Sequence, residues 1–492
     1  MSDASQLSKA RRLVKTIGFI SMAGFGFMVD GYANLTIGLV TPILGIIYYP
    51  EDKNTITPSN TLSAVKGMAS VGILLGQLMF GISGDAIGRK KVYGKELMIT
   101  LFGLLMTIVV PPSIGASSVM AWICVFRLVT GIGIGGDYPM SSTLSAENTL
   151  SLTRGMLISS VFVMLGFGSL VASVVFLILV RAFEHSVEVN PKHFEWIWRL
   201  LLGVIIVPGL FTLYARLTMK ETKPFMNYVV HVDDSDESDG GIAAAKKFTL
   251  KSRGFEHFRE LREYFSKWKN LKVLIGTSCT WFLFDIAFYG ISLNQSAILS
   301  SIGYGTGPTL YIQQKNIAVG NIIVTLMGFL PGYIVPVFLF DRIGRKNVLW
   351  IGLIVTALLY IIWAAAYNKI STGGRVALFA LSQFFLNFAS QGTFILPVEV
   401  FPTRVRASAH GISAASGKAG AVLTSFAFGI VDQHWGLRGT LGLFAGCLMV
   451  ASLFVFLIPE PMRWSLEDIE RLGLDESDDE VEQVVVRTVD KS

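Results

Sequence analysis

Gly84-Asp85-Ala86-Ile87-Gly88-Arg89-Lys90 and Phe340-Asp341-Arg342-Ile343-Gly344-Arg345-Lys346 are two copies of one charged turn in a chain otherwise poor in charge. The glycines permit a tight reversal between helices, and the acid can pair with an arginine or cap a helix N-terminus. A second pair of charges follows each turn, Glu147 with Arg154 and then Glu399 with Arg406. Such a repeat marks two tandem halves, an organisation that places a substrate site at their interface and works by rocking one half against the other. We read Asp85, Arg89, Glu147, Arg154, Asp341, Arg345, Glu399 and Arg406 as a latch, a charge network formed in one conformation and broken in the other. A plainer reading, in which Arg89, Lys90, Arg345 and Lys346 set topology, holds alongside it.

Over the whole chain, the 492 residues are 52% hydrophobic and 15% charged, against roughly 25% charged in an average soluble domain. This excludes a disordered chain, a collagen, a disulfide scaffold and an ordinary water-soluble enzyme, and leaves an all-α polytopic membrane protein. A spanning helix takes about 20 mostly apolar residues. Twelve such stretches are predicted, six per half. They centre near Met28, Leu74, Leu104, Gly131, Ala172 and Ile206, then near Leu283, Met327, Val355, Leu386, Gly420 and Met449. No cleavable signal peptide is expected, because the apolar run after the basic start is too long for one.

Lys and Arg crowd one set of loops, including Lys9, Arg11, Arg12 and Lys15 and then Arg89, Lys90, Lys91 and Lys95, whereas loops 112–118 and 301–311 carry none. Both termini are therefore expected in the cytoplasm. The net charge of +6 belongs to those loops and not to a nucleic-acid surface. The expected boundaries are a cytoplasmic N-terminus at 1–14, a six-helix half at 15–217, a cytoplasmic central loop at 218–270, a second half at 271–459 and an acidic cytoplasmic tail at 460–492. The central loop reads as a solvated linker with a basic amphipathic helix at 255–268. Cys124, Cys279 and Cys447 lie far apart in apolar runs and read as packing residues, so no metal and no cofactor is expected.

Ionisable residues inside spans are costly and mark function. Here they are Asp30, Arg127, Asp137, Glu147, Asp285, Glu399 and Lys418. Glu147 and Glu399, near span ends, go to the latch. Arg127 lies roughly 15 Å from Asp137 along one helix, too far to pair with it. It is read either as a partner for Asp30 on a neighbouring helix or as structural charge. The run Gly131-Ile132-Gly133-Ile134-Gly135-Gly136 is read as close helix packing, not a dinucleotide fingerprint, because no strand precedes it. Trp281, Asp285 and Tyr289 are spaced i, i+4, i+8 and so share one helix face. Lys418, amid small residues at mid-span, needs a carboxylate or an anionic substrate. Asn294-Gln295-Ser296 is a glycosylation sequon at the membrane end of a span, where modification is not expected.

The two charged turns resemble the signature loop of the major facilitator superfamily. Gly135-Gly136-Asp137-Tyr138-Pro139, the stretch 281–295, Phe401-Pro402-Thr403-Arg404 and the stretch 411–418 are similar to the phosphate:proton symporters of fungi and plants. The resemblance covers about residues 15–470 and implies a twelve-helix major facilitator fold. It also implies a functional monomer in the plasma membrane that carries inorganic phosphate with protons. It assigns Asp30, Asp137 and Asp285 to proton coupling; Arg127 is grouped with them on its place inside a span and not on the resemblance. It places Tyr138, Trp281, Asp285 and Tyr289 around the phosphate, and ties Lys418 to substrate binding or coupling.

Three departures stand out. Leu165 replaces a phosphate-contacting Gln, Ser390 replaces an Asn with Gln391 as the neighbouring amide, and Asp30-Gly31-Tyr32-Ala33 lacks a second acid. They read either as a weaker phosphate site or as a site for a larger phosphorylated substrate such as a glycerophosphodiester. A sugar transporter and a nutrient-sensing receptor remain alternatives. No nucleophile–base set or metal cluster suggests an enzyme.

Overall fold

The computed structural model describes residues 2–49, 60–87, 89–147, 154–218, 250–462, 464, 468 and 469, with side chains outside the description at 2–21, 89, 90, 147, 154 and 250–256. The described chain is helical, without a strand. Long apolar runs take this form because a helix satisfies every backbone N–H and C=O within its own segment, as a lipid environment requires.

The first half holds α1 (Ser2–Tyr48), α2 (Asn60–Ile87), α3 (Lys95–Ile108), α4 (Ala116–Glu147), α5 (Arg154–Ala182), α6 (Phe194–Val204) and α7 (Ile206–Leu217). Between the halves lies α8 (Leu250–Ser266). The second half holds α9 (Trp268–Ser292), α10 (Gln295–Ser301), α11 (Leu310–Val324), α12 (Leu330–Ile343), α13 (Arg345–Ala366), α14 (Thr372–Val400) and α15 (Arg406–Phe454). A π turn, Thr325–Phe329, joins α11 to α12.

Nine helices among the described residues are long and apolar enough to cross a membrane, against the twelve spans expected. The difference has visible causes. Helix α3 has 14 residues, about 21 Å of helix, short of the roughly 30 Å hydrocarbon core. Helix α14 carries Gln383, Asn387, Ser390, Gln391 and Glu399. Helix α15 counts once, although Gly436 interrupts it at φ 63° and ψ 176°, a conformation only glycine adopts without cost.

Within the first half, α2 packs on α4 through glycines. A Cβ built at Gly131 would lie 2.2 Å from the Ala69 oxygen, and one at Gly135 would lie 2.2 Å from the Ile73 oxygen. The packing reading of the glycine run is met. Across the halves, α2 packs on α15, and α5 packs on α11 and α12. The central space between α1, α4, α5, α9, α12, α14 and α15 is where Asp285 and Lys418 meet.

Candidate functional site

Tyr138, Trp281, Asp285, Tyr289, Ser390 and Lys418 line one cavity between the halves. Helix α9 supplies Trp281, Asp285 and Tyr289 from a single face, as their spacing requires. Lys418 reaches from α15, where Gly417 leaves room: a Cβ there would meet the Trp281 ring at 2.5 Å. Lys418 Nζ donates to Asp285 Oδ2 at 2.7 Å, with both side chains 2–3% exposed. The ammonium also sits 4.5 Å from the Tyr289 ring centre and 5.5 Å from that of Tyr138, where a ring face attracts a cation. The buried cation of α15 thus has its carboxylate, and the pair is wrapped in aromatic surface.

Sequence reasoning missed several of the walls. Asn34, Ser169, Phe288, Ser292, Phe329 and Tyr333 also face this cavity. Tyr333 lies in an apolar span with no ionisable neighbour, so nothing distinguished it from packing. Leu165 lines the cavity as an apolar wall. Gln391 does not line it. Its side-chain oxygen accepts from Ser159 Oγ at 2.8 Å and its Nε2 donates to the Tyr333 carbonyl at 2.9 Å, so the amide ties α5 to α12 across the halves.

The remaining acids are held differently. Asp137 Oδ2 accepts from Arg216 Nη2 at 2.7 Å, and Asp137 Oδ1 accepts from Ser141 Oγ. Arg216 Nη1 also donates to Glu96 Oε1 at 2.9 Å. Neither Glu96 nor Arg216 figured among the candidates, because each reads as a charge at the loop end of its helix. Gly26 makes the space: a Cβ there would fall 1.5 Å from Arg216 Nη2. Asp30 is 1% exposed, and its Oδ2 has no hydrogen-bond partner among the described residues. Arg127 does not pair with Asp30; its Nε donates to the Val65 carbonyl at 3.0 Å. The carbonyl of the packed neighbour α2 lies within reach and satisfies part of the guanidinium.

Below the cavity, toward the end of the bundle bearing the two charged turns, aromatic rings from both halves close together. Phe162 of α5 stacks on Phe394 of α14 at 4.2 Å, and Phe27 of α1 meets Tyr138, Phe162 and Phe394 edge-on at 5.3 to 5.6 Å. At that end the Asp85 carboxylate accepts from the backbone N–H of Ala407 at 3.3 Å and of Ser408 at 2.7 Å, capping α15 from the opposite half. His257 of α8 stands beside this cap, with Nε2 2.8 Å from Ser408 Oγ and 3.9 Å from Asp85 Oδ2. Among the described residues, the ion pairs of the second turn lie within its own half, while its arginine also rests against Gly155 of the first. Arg345 pairs with Asp341 at 3.0 Å and with Glu399 at 2.8 Å, and Arg406 Nε donates to the Phe401 carbonyl at 3.1 Å. The side chains of Arg89, Glu147 and Arg154 lie outside the described residues. Glu460 was not anticipated: it accepts from the N–H groups of Arg345 and Lys346 at 3.1 and 2.8 Å, capping α13.

Residues 19–472 match the family described as "Sugar (and other) transporter". A protein of Schizosaccharomyces pombe named a putative inorganic phosphate transporter is 38% identical, over 92% of this chain and 87% of its own. The repressible high-affinity phosphate permease of Neurospora crassa is 36% identical, over 92% and 85%. The inorganic phosphate transporter PHO84 of Saccharomyces cerevisiae is 35% identical, over 94% and 85%. Among solved structures, the major facilitator superfamily proton:xylose symporter XylE superposes with a TM-score of 0.72, covering 93% of this chain and 99% of that one at 17% identity. That likeness establishes the fold. The chain belongs to the sugar (and other) transporter family, and is a multi-pass integral membrane protein of the major facilitator superfamily.

Proposed function

We propose that the protein imports inorganic phosphate together with protons by alternating access, as a monomer in the plasma membrane. We further propose twelve spans and cytoplasmic termini. The observation that carries the reading is the Lys418–Asp285 ion pair, buried in a cavity between the halves and ringed by hydrogen-bond donors. The phosphate transport named in the 35–38% identical relatives supports the same substrate.

The chemistry follows from charge. A phosphate anion is drawn to the Lys418 ammonium but repelled by an ionised Asp285 in a cavity of low dielectric. A proton on Asp285 removes the repulsion and turns the carboxyl into a donor. Proton and anion therefore bind together. The hydroxyls of Tyr138, Tyr289, Tyr333 and Ser390 and the Trp281 indole N–H offer further donors to phosphate oxygens. When phosphate leaves, Asp285 gives up its proton and recovers Lys418. Asp30 and Asp137 are the proposed proton route, with Arg216 bonded to Asp137 at its side. The turn-bearing end, closed by the Phe162–Phe394 stack and the Asp85 cap, is the proposed cytoplasmic side, so this conformation bars inward release. Leu165 favours one second reading: an apolar wall suits the organic part of a phosphodiester, and competition by a glycerophosphodiester against phosphate uptake would reveal it.

The test is radiolabelled phosphate uptake into proteoliposomes, with and without an inward proton gradient. Gradient-driven uptake in the wild type, abolished in Asp285→Asn, is the expected result. Folded wild-type protein that takes up no phosphate would sink the assignment.

A further inference from the structure

A second cavity lies beyond the central one, on the side away from the charged turns. Leu293 walls both. On α1 the central cavity reaches Leu35, whereas the second is lined by Gly38, Thr41 and Pro42, one to two turns farther along the same helix. Its charged lining residue is Lys66 of α2, which is 7% exposed. Sequence reasoning passed over it because a lysine near a predicted span end reads as snorkelling to the surface.

The environment of Lys66 is unusual for a buried cation. Its Nζ donates to the Asn294 side-chain oxygen at 2.8 Å, and no carboxylate among the described residues forms an ion pair with it. Asn294 is itself fixed, since its Nδ2 donates to the Gly290 carbonyl at 2.9 Å. At 3% exposure with both amide atoms engaged, Asn294 offers no glycosylation site. Across the cavity, the Ser296 hydroxyl and the Gln314 side-chain oxygen are buried without a hydrogen-bond partner among the described residues. Amide oxygen and nitrogen exchange by a flip, so Gln314 can present its NH2 group there. The result is an ammonium, a hydroxyl and an amide N–H converging on a cavity whose described lining residues include no acidic side chain. Burying an ammonium against a neutral oxygen alone is costly; an anion in the cavity removes that cost.

We propose that this Lys66 cavity is a second oxyanion site, which holds a phosphate-class anion before it passes Leu293 into the central cavity. The proposal rests on the phosphate reading of the central site, with Lys66 outermost in the path. It predicts two binding sites per chain that answer to different lysines.

The experiment is equilibrium binding of radiolabelled inorganic phosphate to the purified full chain in detergent. Wild type is compared with Lys66→Met, Lys66→Arg and Lys418→Ala. Methionine fills the space of the lysine stem without its charge, and an unchanged melting temperature and elution profile certify its fold. Two equivalents are expected for wild type and Lys66→Arg, and one for Lys66→Met. In vesicles, Lys66→Met should raise the KM for uptake about tenfold while changing the maximal rate less than twofold. One equivalent in wild type, lost in Lys418→Ala and kept in Lys66→Met, would overturn the outer site and leave the central reading standing. One equivalent lost in Lys66→Met and kept in Lys418→Ala would sustain the outer site and fail the central reading. A drop from two equivalents to one when the protein moves into bilayers doped with an anionic phospholipid would assign the cavity to a lipid headgroup and overturn the free-anion assignment.

Discussion

Lys418→Ala leaves the Asp285 carboxylate buried without its ion-pair partner. Breaking such a pair costs about 3–5 kcal/mol, whereas replacing both partners with apolar residues of similar size is often neutral. Lys418→Ala is therefore expected to lower the melting temperature sharply, while the double variant Lys418→Met/Asp285→Leu recovers stability and not uptake. Additive losses in the two single variants and the double variant would argue that the pair is not energetically coupled. At this scale the sequence was informative where chemistry contrasts with its surroundings. Asp285 and Lys418 stand out because each is a charge in an apolar run, and the i, i+4, i+8 spacing put Trp281 and Tyr289 on the same wall. Gln391 was misjudged because one residue along a helix is a turn of about 100°: Ser390 faces the cavity and Gln391 faces Ser159. Arg216 was missed for another reason. A cation at a helix end looks the same whether it faces water or, as here, bridges Glu96 and Asp137.

Helix contacts were legible where composition forces them. The glycine run of α4 allows close neighbours: Gly131 and Gly135 meet the α2 backbone, and Gly133 meets α3. Gly135→Val is expected to destabilise by about 1–3 kcal/mol, the range for overpacking, because even a first carbon would sit 2.2 Å from the Ile73 oxygen. Gly442→Ala is the control: nothing lies within 4 Å of its would-be Cβ, so stability should hold or rise by up to about 1 kcal/mol from helix propensity. Thermal unfolding in detergent measures both, and equal losses would contradict the packing. Helix count was less legible. A 14-residue α3 and a glycine break inside α15 are set by how the bundle packs, which an apolar window does not record.

The repeat announced two halves, but not the partners of each copy. Among the described residues, Asp85 caps a helix of the opposite half, and Arg345 pairs with Asp341 and Glu399 of its own. Two partners of Asp85 are backbone N–H groups more than three hundred residues away, and no local pattern identifies them. Hydrogen bonds to a charged group contribute about 1.5–3 kcal/mol each, so Asp85→Ala should shift the conformational equilibrium tenfold or more. Spin labels on the α2–α3 turn and on the first turn of α15 are expected to move apart in that variant; an unchanged distance distribution would remove Asp85 from the latch. A last consequence concerns voltage. The empty cavity holds one positive and one negative group in contact, so its return stroke carries no net site charge through the membrane field. The loaded stroke adds the charge of the cargo, and each uncompensated charge is worth about 2.3 kcal/mol per 100 mV. The membrane potential should therefore act on the loaded limb alone. The ratio of current to phosphate flux would then give the number of protons less the negative charge of each anion, and a voltage-dependent return of the empty carrier would show that other charges cross the field.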